Sequence, residues 1–332
     1  MRLRILSLIF VLLLVTTTIY SGLYYISSKT HTTNLYFPKI VLSAYKQPTI
    51  LPGINFVILG LDPRNDSLEK TETTDTIMIA RLTTDMKINI ISIPRDLWVY
   101  SLSAKVNQIY PNSLKSKNKY EYIQQEFSKL TGQKIDKTII ITTQSLIKLT
   151  KIVGGVDVEL TEGFVDNQYP NPAYVNNPTT KTPIYITVQF DKGPVHLDEN
   201  NIEEFVRSRK SLTGGTDLGR MQRQQLLLEA IVSKIKSPSF YKSPRNIFSL
   251  YNFYKSNITT NFQDIDVISL GLKLYPQISQ LKLNKNNIPT GENSKTDILY
   301  HPAKFINPQW VFIPQDKDYL SFQELIQKSL SL

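Results

Sequence analysis

The sequence has no cysteine, and its 332 residues include three histidines, at positions 31, 196 and 301. Without cysteine the protein has no disulfide bond, no cysteine-ligated zinc and no thiol catalysis. The histidines are far apart and form no H-E-x-x-H pattern, which argues against a histidine-built metal site or a Ser-His-Asp triad. The sequence also has no internal repeat. These absences exclude several common classes of enzyme site.

Acidic residues are fewer than basic ones. The chain has 28 aspartates and glutamates against 38 lysines and arginines, and its net charge is +10. A basic excess suggests an anionic partner, such as phospholipid headgroups, nucleic acid or an acidic polymer, although it can also serve only solubility. The hydrophobic content of 41% is sufficient for a buried core.

An uncharged, largely apolar run extends from residue 5 to residue 26. About 20 such residues suffice to cross the hydrocarbon core of a bilayer. Arg2 and Arg4 precede the run, which favours a cytoplasmic tail over residues 1–4. We therefore predict a single-pass transmembrane anchor over 5–26 and an extracytoplasmic remainder. A cleaved signal peptide is the alternative. The extracytoplasmic placement argues against nucleic acid as a partner.

The remaining chain is predicted to comprise a stalk or first wrapping strand over 27–53 and one folded domain over 54–332. Residues 165–183 are rich in Asn, Pro and Thr, which predicts an exposed loop or lid. Strands alternating with helices indicate an α/β or α+β sandwich with one central sheet. The predicted strands are Ile54–Gly60, Thr76–Leu82, Ile88–Pro94, Thr138–Thr142 and Val156–Leu160. The predicted helices are Tyr120–Leu130, Gln144–Ile152, a short helix capped by Asp198 and running to Val206, and Gly219–Lys236.

Polar clusters lie at the ends of predicted strands or the starts of predicted helices, where α/β folds build their sites. The clusters are Asp62 with Arg64, then Asp75, then Arg95 and Asp96 with Lys105, and finally the group Arg207, Arg209, Asp217, Arg220, Arg223 and Gln224.

The last cluster is suited to an anion. Arg207 and Arg209 are two residues apart, so on an extended segment both guanidinium groups point the same way. Arg220 and Gln224 are four residues apart and share one face at the start of a helix, whose N-terminus attracts anions. Because the arginine fork binds phosphate oxygens in pairs, we predict a phosphate-bearing ligand. Arg223 faces elsewhere on the helix and is assigned to structure.

The aspartates suggest a divalent cation beside the phosphates. Asp62 and Asp75 provide hard oxygen ligands of the kind that Mg²⁺ accepts together with water and substrate phosphate. Each has a simpler interpretation, since both could cap turns. Arg95 with Asp96 could likewise be a structural ion pair, as could Arg220 with Asp217.

At these positions the sequence resembles the LytR–CpsA–Psr family of membrane-anchored cell-wall glycopolymer transferases. The matching segments follow the family's order over about residues 54–236, and a weaker match continues through I-T-T-N-F to the W-V-F-I-P segment near the C-terminus. They are F-V-I-L-G-L-D-P-R (56–64), T-D-T-I-M-I-A (74–80), I-S-I-P-R-D (91–96), K-V-N (105–107), I-V-G-G-V-D-V (152–158), F-V-R-S-R (205–209) and D-L-G-R-M-Q-R-Q-Q (217–225).

The resemblance implies an α/β sandwich with a hydrophobic tunnel that holds a polyprenyl chain. It implies that Arg95, Arg207, Arg209 and Arg220, with Gln224, hold the lipid pyrophosphate. Arg64, Lys105 and Asp217 complete this predicted binding set. Asp62 and Asp75 are the implied ligands of Mg²⁺.

The implied reaction is a phosphotransfer from a polyprenyl-pyrophosphate-linked glycopolymer to a hydroxyl of peptidoglycan, with release of polyprenyl phosphate. Arg95, Asp96 and Asp75 are the predicted catalytic residues, with Asp96 or Asp75 as proton acceptor. Lys70 stands where the family usually has an arginine before the aspartate, and a lysine cannot bind phosphate bidentately. A polyprenyl-pyrophosphate phosphatase and a non-catalytic lipid-binding regulator are the alternative functions.

Overall fold

A computed structural model describes much of the chain. The described residues are 21–22, 24–25, 28, 36–46, 53–62, 73–85, 87–176, 181–209, 217–291, 297–302, 306 and 309–331. No helix among these residues is long and apolar enough to cross a membrane. The predicted anchor over 5–26 lies almost entirely outside the described residues.

Short and long strands alternate with helices along the chain. The strands are β1 (Asn55–Leu61), β2 (Thr74–Leu82), β3 (Lys87–Ser92), β4 (Trp98–Val99), β5 (Ala104–Lys105), β6 (Lys137–Thr142), β7 (Val156–Leu160), β8 (Phe164–Pro170), β9 (Tyr185–Phe190), β10 (Gly193–Leu197), β11 (Thr259–Thr260), β12 (Lys282–Asn287), β13 (Thr290–Gly291), β14 (Leu299–Tyr300) and β15 (Ile313–Pro314). The α-helices are α1 (Tyr36–Lys46), α2 (Ile109–Ser113), α3 (Lys119–Thr131), α4 (Thr143–Val153), α5 (Pro172–Asn176), α6 (Ile202–Arg207), α7 (Asp217–Ile235), α8 (Pro238–Tyr241), α9 (Pro244–Asn257), α10 (Asp264–Leu274) and α11 (Leu320–Ser331).

Within the described ranges, six strands form a central mixed sheet in the order β11-β6-β1-β2-β3-β12. Strand β1 pairs parallel with β6 and antiparallel with β2, and β3 pairs parallel with β12. The runs rich in Ile and Val predicted as buried central strands are therefore confirmed. The limits of all four strands differ from the predicted ones by one or two residues, and the polar strand β12 was not predicted.

Helices cover both faces of this sheet. Val57, Leu59 and Ile79 on one face share a core with Phe127 of α3 and Phe322 of α11. The opposite face looks toward α7, whose residue 228 packs in a cluster with Met78 and Ile90. The predicted α/β architecture with a central mixed sheet flanked by helices is confirmed.

The segment predicted as a stalk or first wrapping strand contains helix α1. Ile40, Val41 and Ala44 lie at helical spacing and pack against Ile265 and Ile268 of α10. Pro38 stands near the start of the helix, where a missing backbone N–H costs nothing. The strand prediction for this part of the chain is wrong because an apolar stripe this short shows little periodicity in the sequence.

The segment 165–183, predicted to be a loop, begins with one strand of a hairpin. Strand β8 pairs antiparallel with β9 across an irregularity between Asp166 and Tyr169, and the short helix α5 follows β8. The irregularity interrupts the alternation of buried and exposed residues along β8. The sequence therefore lacks the regular apolar–polar pattern of a strand, and a loop was predicted. Residues 177–180 lie outside the described residues.

The short helix α6 also differs from its prediction. Asn201, and not Asp198, occupies the N-cap position. The carbonyl of Asp198 accepts the N–H of Ile202, while its carboxylate binds Asn200. Asp198 therefore shapes the preceding turn, and the helix extends one residue beyond Val206.

Replacing Gly60 tests the contact between β1 and β2 beside the cavity described below. A Cβ atom on Gly60 would lie 2.7 Å from the Cβ of Thr76. Gly60→Ala should therefore push the two strands apart and lower the free energy of unfolding by about 1–3 kcal/mol, measured by urea denaturation. Gly271→Ala is the matched control, because nothing lies within 4 Å of that position in α10. Equal stability of Gly60→Ala and the wild type would contradict the close contact.

Candidate active site

Two aspartates lie at the same end of neighbouring strands. Asp62 directly follows β1, and Asp75 is the second residue of β2. Because the strands are antiparallel and Leu61 pairs with Thr74, the end of one strand meets the start of the other. Both carboxylates line one cavity. The register thus brings the two predicted metal ligands to the same end of the sheet.

Asp75 is bound by two arginines. Its carboxylate lies 2.5 Å from Nη1 of Arg95 and 3.8 Å from Nη1 of Arg220, and its carbonyl accepts from Nη2 of Arg220 at 3.2 Å. Burial opposes ionisation of Asp75, but Arg220 and Arg95 outweigh it and lower the pKa of this carboxyl. Arg220 is itself buried. The three side chains therefore form an ionised cluster at the sheet edge.

Asp96 forms a second pairing beside this cluster. Its Oδ1 lies 2.6 Å from Nζ of Lys105, and its Oδ2 lies 3.4 Å from Nε of Arg95. The ion pair between Arg95 and Asp96 that the sequence suggested is therefore present, and Arg95 contacts Asp75 as well. Lys105 binds Asp96 and is not among the residues that line the cavity.

Arg207 occupies the last position of α6, so its side chain leaves a helix. The prediction of an extended segment carrying Arg207 and Arg209 is wrong, because α6 continues through Arg207. Nε of Arg207 lies 3.0 Å from Oδ2 of Asp62, and the guanidinium also binds Glu203 one turn earlier. Burial opposes protonation of Arg207, but Asp62, Tyr169 and Glu203 together outweigh it and raise the pKa of the guanidinium.

The backbone after α6 is fixed by β8. The N–H of Arg209 donates to the buried carboxylate of Asp166 at 2.9 Å. The charge of Arg209 also contributes to the lowered pKa of Asp75. Tyr169 of the same strand is buried beside Arg207 and Asp62, and burial raises the pKa of its hydroxyl. Sequence analysis missed Asp166 and Tyr169, since both lie in the segment assigned to a loop.

Arg223 performs the structural role predicted for it. Its guanidinium donates to the carbonyls of Phe205 and Ser208 and lies 4.2 Å from the ring centre of Phe164. Burial and the neighbouring charge of Arg220 lower the pKa of Arg223 to about 10, so the group remains protonated at neutral pH. It connects α7 to the end of α6.

The cavity has a volume of about 240 Å³ and is bounded by the central sheet, α4, α6 and α7. Its polar side chains gather at one end, while Ile, Leu and Met form the remainder. Gln224 lines it as well, and its Oε1 is buried without a hydrogen-bond partner among the described residues. The lining residues are Ile58, Gly60, Leu61, Asp62, Asp75, Thr76, Met78, Ile139, Ile141, Thr142, Thr143, Leu146, Leu149, Val206, Arg207, Arg220, Gln224, Leu227, Leu228 and Ile231.

Two predicted site residues cannot be placed. Arg64 lies outside the described residues. Asp217 begins α7, but its side chain is not described. The other predicted site residues lie together around Asp62 and Asp75. Lys105 is the exception, since it contacts Asp96 and does not line the cavity.

The carboxylates fit magnesium only in company with a ligand. In the described ranges, no group of three His, Cys, Asp or Glu side chains could hold a metal ion. Asp62 and Asp75 both line the cavity, and both offer hard oxygens. Magnesium is usually held by one or two carboxylates while water and substrate phosphate complete its shell. The two residues are therefore suited to a metal bound together with phosphate.

The site is an apolar cavity with paired arginines and aspartates at one end, set in an α/β fold. The chain belongs to the LytR_cpsA_psr family, whose model matches residues 26–319. The resemblance seen in the sequence is thereby confirmed.

The relatives include a transferase and solved structures. The polyisoprenyl-teichoic acid–peptidoglycan teichoic acid transferase TagU of Oceanobacillus iheyensis is 25% identical over 277 residues, which cover 80% of this chain and 72% of TagU. The crystal structure of TagV from B. subtilis has a TM-score of 0.58 at 19% identity, covering 85% of this chain and 99% of TagV. A structure of TagT bound to LIIa-WTA has a TM-score of 0.55 at 17% identity, covering 85% and 92%.

Replacing Asp75 by Asn should weaken the fold in a pH-dependent way. Removing this buried charge takes the anionic partner away from Arg95 and Arg220. The free energy of unfolding should therefore fall by on the order of 3 kcal/mol at pH 7. Because the folded pKa lies below the ordinary value of 3.8, the carboxylate stabilises the fold above that pH, and the benefit is lost as pH falls through the folded pKa.

Urea denaturation of the wild type and Asp75→Asn between pH 3 and pH 7 measures this difference. The two curves should converge toward the acid end. A constant gap over the whole range would show that the ionised form of Asp75 does not carry the stabilisation.

Proposed function

We propose that this protein transfers a glycopolymer from a polyprenyl-pyrophosphate carrier to a hydroxyl of peptidoglycan. The observation that carries the proposal is an apolar cavity whose polar end holds Arg207, Arg220 and Gln224. Such a cavity accommodates a hydrocarbon chain and its charged headgroup together. The name of the TagU relative, which describes transfer of teichoic acid to peptidoglycan, supports the same reaction class.

In the proposed reaction a hydroxyl oxygen of the acceptor forms a bond to the phosphorus that carries the glycopolymer. The bond from that phosphorus to the bridging oxygen breaks, and polyprenyl phosphate leaves with the bridging oxygen. The hydroxyl proton passes to a carboxylate or to water. Phosphoryl transfer of this kind depends mainly on positioning and charge neutralisation, so it requires no nucleophilic side chain.

The charge balance supports this assignment. Counted with their contact partners, the five cations Arg95, Lys105, Arg207, Arg209 and Arg220 outnumber the four carboxylates of Asp62, Asp75, Asp96 and Glu203 by one. The ion pairs hold the arginine forks in place before the ligand arrives, so less side-chain entropy is lost on binding. A pyrophosphate diester carries two negative charges, and the site therefore has room for one further cation.

Magnesium is the proposed cation, with Asp62 and Asp75 as its protein ligands. When bound, it would withdraw charge from the phosphate oxygens during transfer. Asp75 is the weaker candidate for proton acceptor, since its lowered pKa makes it a poor base. Asp96 is the other predicted acceptor, and Lys105 and Arg95 hold its carboxylate in place.

The proposed location is the outer face of the cell membrane, with the chain anchored by residues 5–26. A donor dissolved in the bilayer through its polyprenyl chain is then presented to a cavity tethered to the same bilayer.

Gln224 and Arg220 provide a test of the binding assignment. Gln224→Leu removes a buried polar group without a described partner, so stability should be unchanged, while donor affinity should fall roughly tenfold to a hundredfold. Arg220→Ala removes a phosphate-facing guanidinium and should lower the transfer rate by about 10²–10³-fold. Transfer of a radiolabelled glycopolymer from its lipid carrier to peptidoglycan is measured with the full chain, and urea denaturation reports stability.

Arg245→Ala is the matched control, since that arginine is exposed on α9. Lipid monophosphate released at the same rate with and without peptidoglycan would instead identify a phosphatase. Lipid retained without turnover at any magnesium concentration would indicate a binding protein. Normal transfer by both variants would overturn the site assignment.

A second test addresses the apolar part of the cavity. Leu228 lines it, so Leu228→Trp should fill space needed by the lipid chain and reduce copurifying polyprenyl lipid several-fold. The retained lipid is quantified by mass spectrometry per mole of protein. Leu272→Trp on the exposed side of α10 serves as the control. Equal lipid content in all three proteins would argue against the cavity as the lipid site.

A further inference from the structure

An exposed tryptophan lies on the far side of the arginine cluster from the apolar cavity. The chain contains two tryptophans, and they differ sharply in burial. Trp98 is 5% exposed and packs in a core cluster, whereas Trp310 is 42% exposed. An indole left this open to solvent has apolar surface available for a ligand.

Neighbouring rings hold Trp310 in position. The imidazole of His301 stacks against it with ring centres 4.8 Å apart and planes inclined by 26°. Phe312 meets it nearly at right angles, with ring centres 4.7 Å apart. Nδ1 of His301 lies 3.0 Å from the carbonyl of Val311, which ties the imidazole to the same segment. The indole is thus a fixed surface and not a freely rotating side chain.

The same segment is joined to the arginine cluster. The N–H of Phe312 donates to the carbonyl of Asp96 at 3.0 Å, and the carbonyl of Phe312 accepts the N–H of Trp98 at 2.8 Å. The ring of Phe312 contributes to a small pocket whose other walls include Arg95 and Arg220. Trp310 is therefore one aromatic ring away from the residues proposed to hold the pyrophosphate.

Asp75 and Arg220 line both this small pocket and the apolar cavity. They form the wall between the two spaces. If the hydrocarbon chain occupies the cavity, then groups attached to the other side of the pyrophosphate, or approaching it from that side, emerge toward Phe312 and Trp310. Those groups are sugars in both the donor and the acceptor.

We propose that Trp310 forms a subsite for a pyranose ring, on which one sugar of the transferred polymer or of the acceptor glycan stacks. The inference rests on the proposed function for the direction in which the sugars lie. A pyranose presents a face of C–H groups, which carry partial positive charge and pack against the negative face of an aromatic ring. The adjacent pocket supplies charged and polar groups for the ring hydroxyls, as carbohydrate sites that combine apolar and polar contacts require.

Calorimetric titration of the full chain tests the subsite without requiring turnover. Two soluble probes separate the sources of the sugar: N-acetylchitotetraose represents a glycan acceptor, and uridine diphosphate N-acetylglucosamine represents a sugar joined to pyrophosphate. Trp310→Ala should weaken binding of at least one probe about tenfold, and Trp310→Phe, which keeps an aromatic face, should lose less. Tyr185→Ala, which removes another exposed ring from β9, should leave both affinities unchanged.

Weaker binding confined to chitotetraose assigns the subsite to the acceptor, and weaker binding confined to the nucleotide sugar assigns it to the donor. Unchanged affinity for both probes in Trp310→Ala, with an unfolding curve like that of the wild type, overturns the subsite. In that event glycopolymer transfer by the wild type that is lost in Arg220→Ala would leave the proposed function standing, whereas a wild type that transfers no glycopolymer would overturn that function separately.

Discussion

The carboxylate of Asp75 holds the site together. It stands at the start of β2 and is bound by Arg95, from the segment after β3, and by Arg220, from α7. Three parts of the chain that are distant in sequence are therefore fixed around one buried charge. Burial alone would favour the neutral acid, and the neighbouring guanidinium groups, chiefly those of Arg220 and Arg95, keep this carboxyl ionised. Arg220 lines the apolar cavity, and Arg95 lines the small pocket beside it.

This arrangement gives the arginines a double role. Each is neutralised in part by a carboxylate, which makes it tolerable in a largely buried position. In the proposed function the same guanidinium groups also donate to the phosphate oxygens of the ligand. Arg207 with Asp62 repeats the pattern on the opposite wall. Arg223 differs because backbone carbonyls and the Phe164 ring occupy its guanidinium. Two arginines of one helix thus differ in surroundings: Arg220 lines the cavity, whereas Arg223 supports the fold.

Much of this could be predicted from the sequence, and the failures have physical causes. The runs rich in Ile and Val predicted β1, β2, β3 and β6, because strands that are buried on both faces are apolar along most of their length. The four-residue spacing of Arg220 and Gln224 placed both on the cavity side of α7. The spacing of Arg207 and Arg209 led to the wrong prediction of an extended segment, since the same spacing is compatible with the end of a helix. The ion pair of Lys105 with Asp96 could not be predicted from the sequence either, because it depends on the pairing of β4 with β5 in the folded chain.

The hairpin arm β8 shows a further limit of sequence reading. Asp166 looks like a loop residue, yet it is buried because it accepts the N–H of Arg209. Such a residue serves the site by satisfying a backbone donor, and no local pattern distinguishes it from a solvated aspartate. The same holds for Trp310, whose exposure depends on how the C-terminal segment is laid beside Asp96.

The parallel pairing of β12 with β3 has a consequence for how the chain reaches this structure. Asn284 and Asn89 contact each other across these strands although they are 195 residues apart in the sequence. Until β12 arrives, β3 presents an unpaired strand edge, and such edges readily join other chains. The polar sequence of β12 is consistent with this order of events. An edge strand rich in Asn and Lys stays soluble until it pairs with β3.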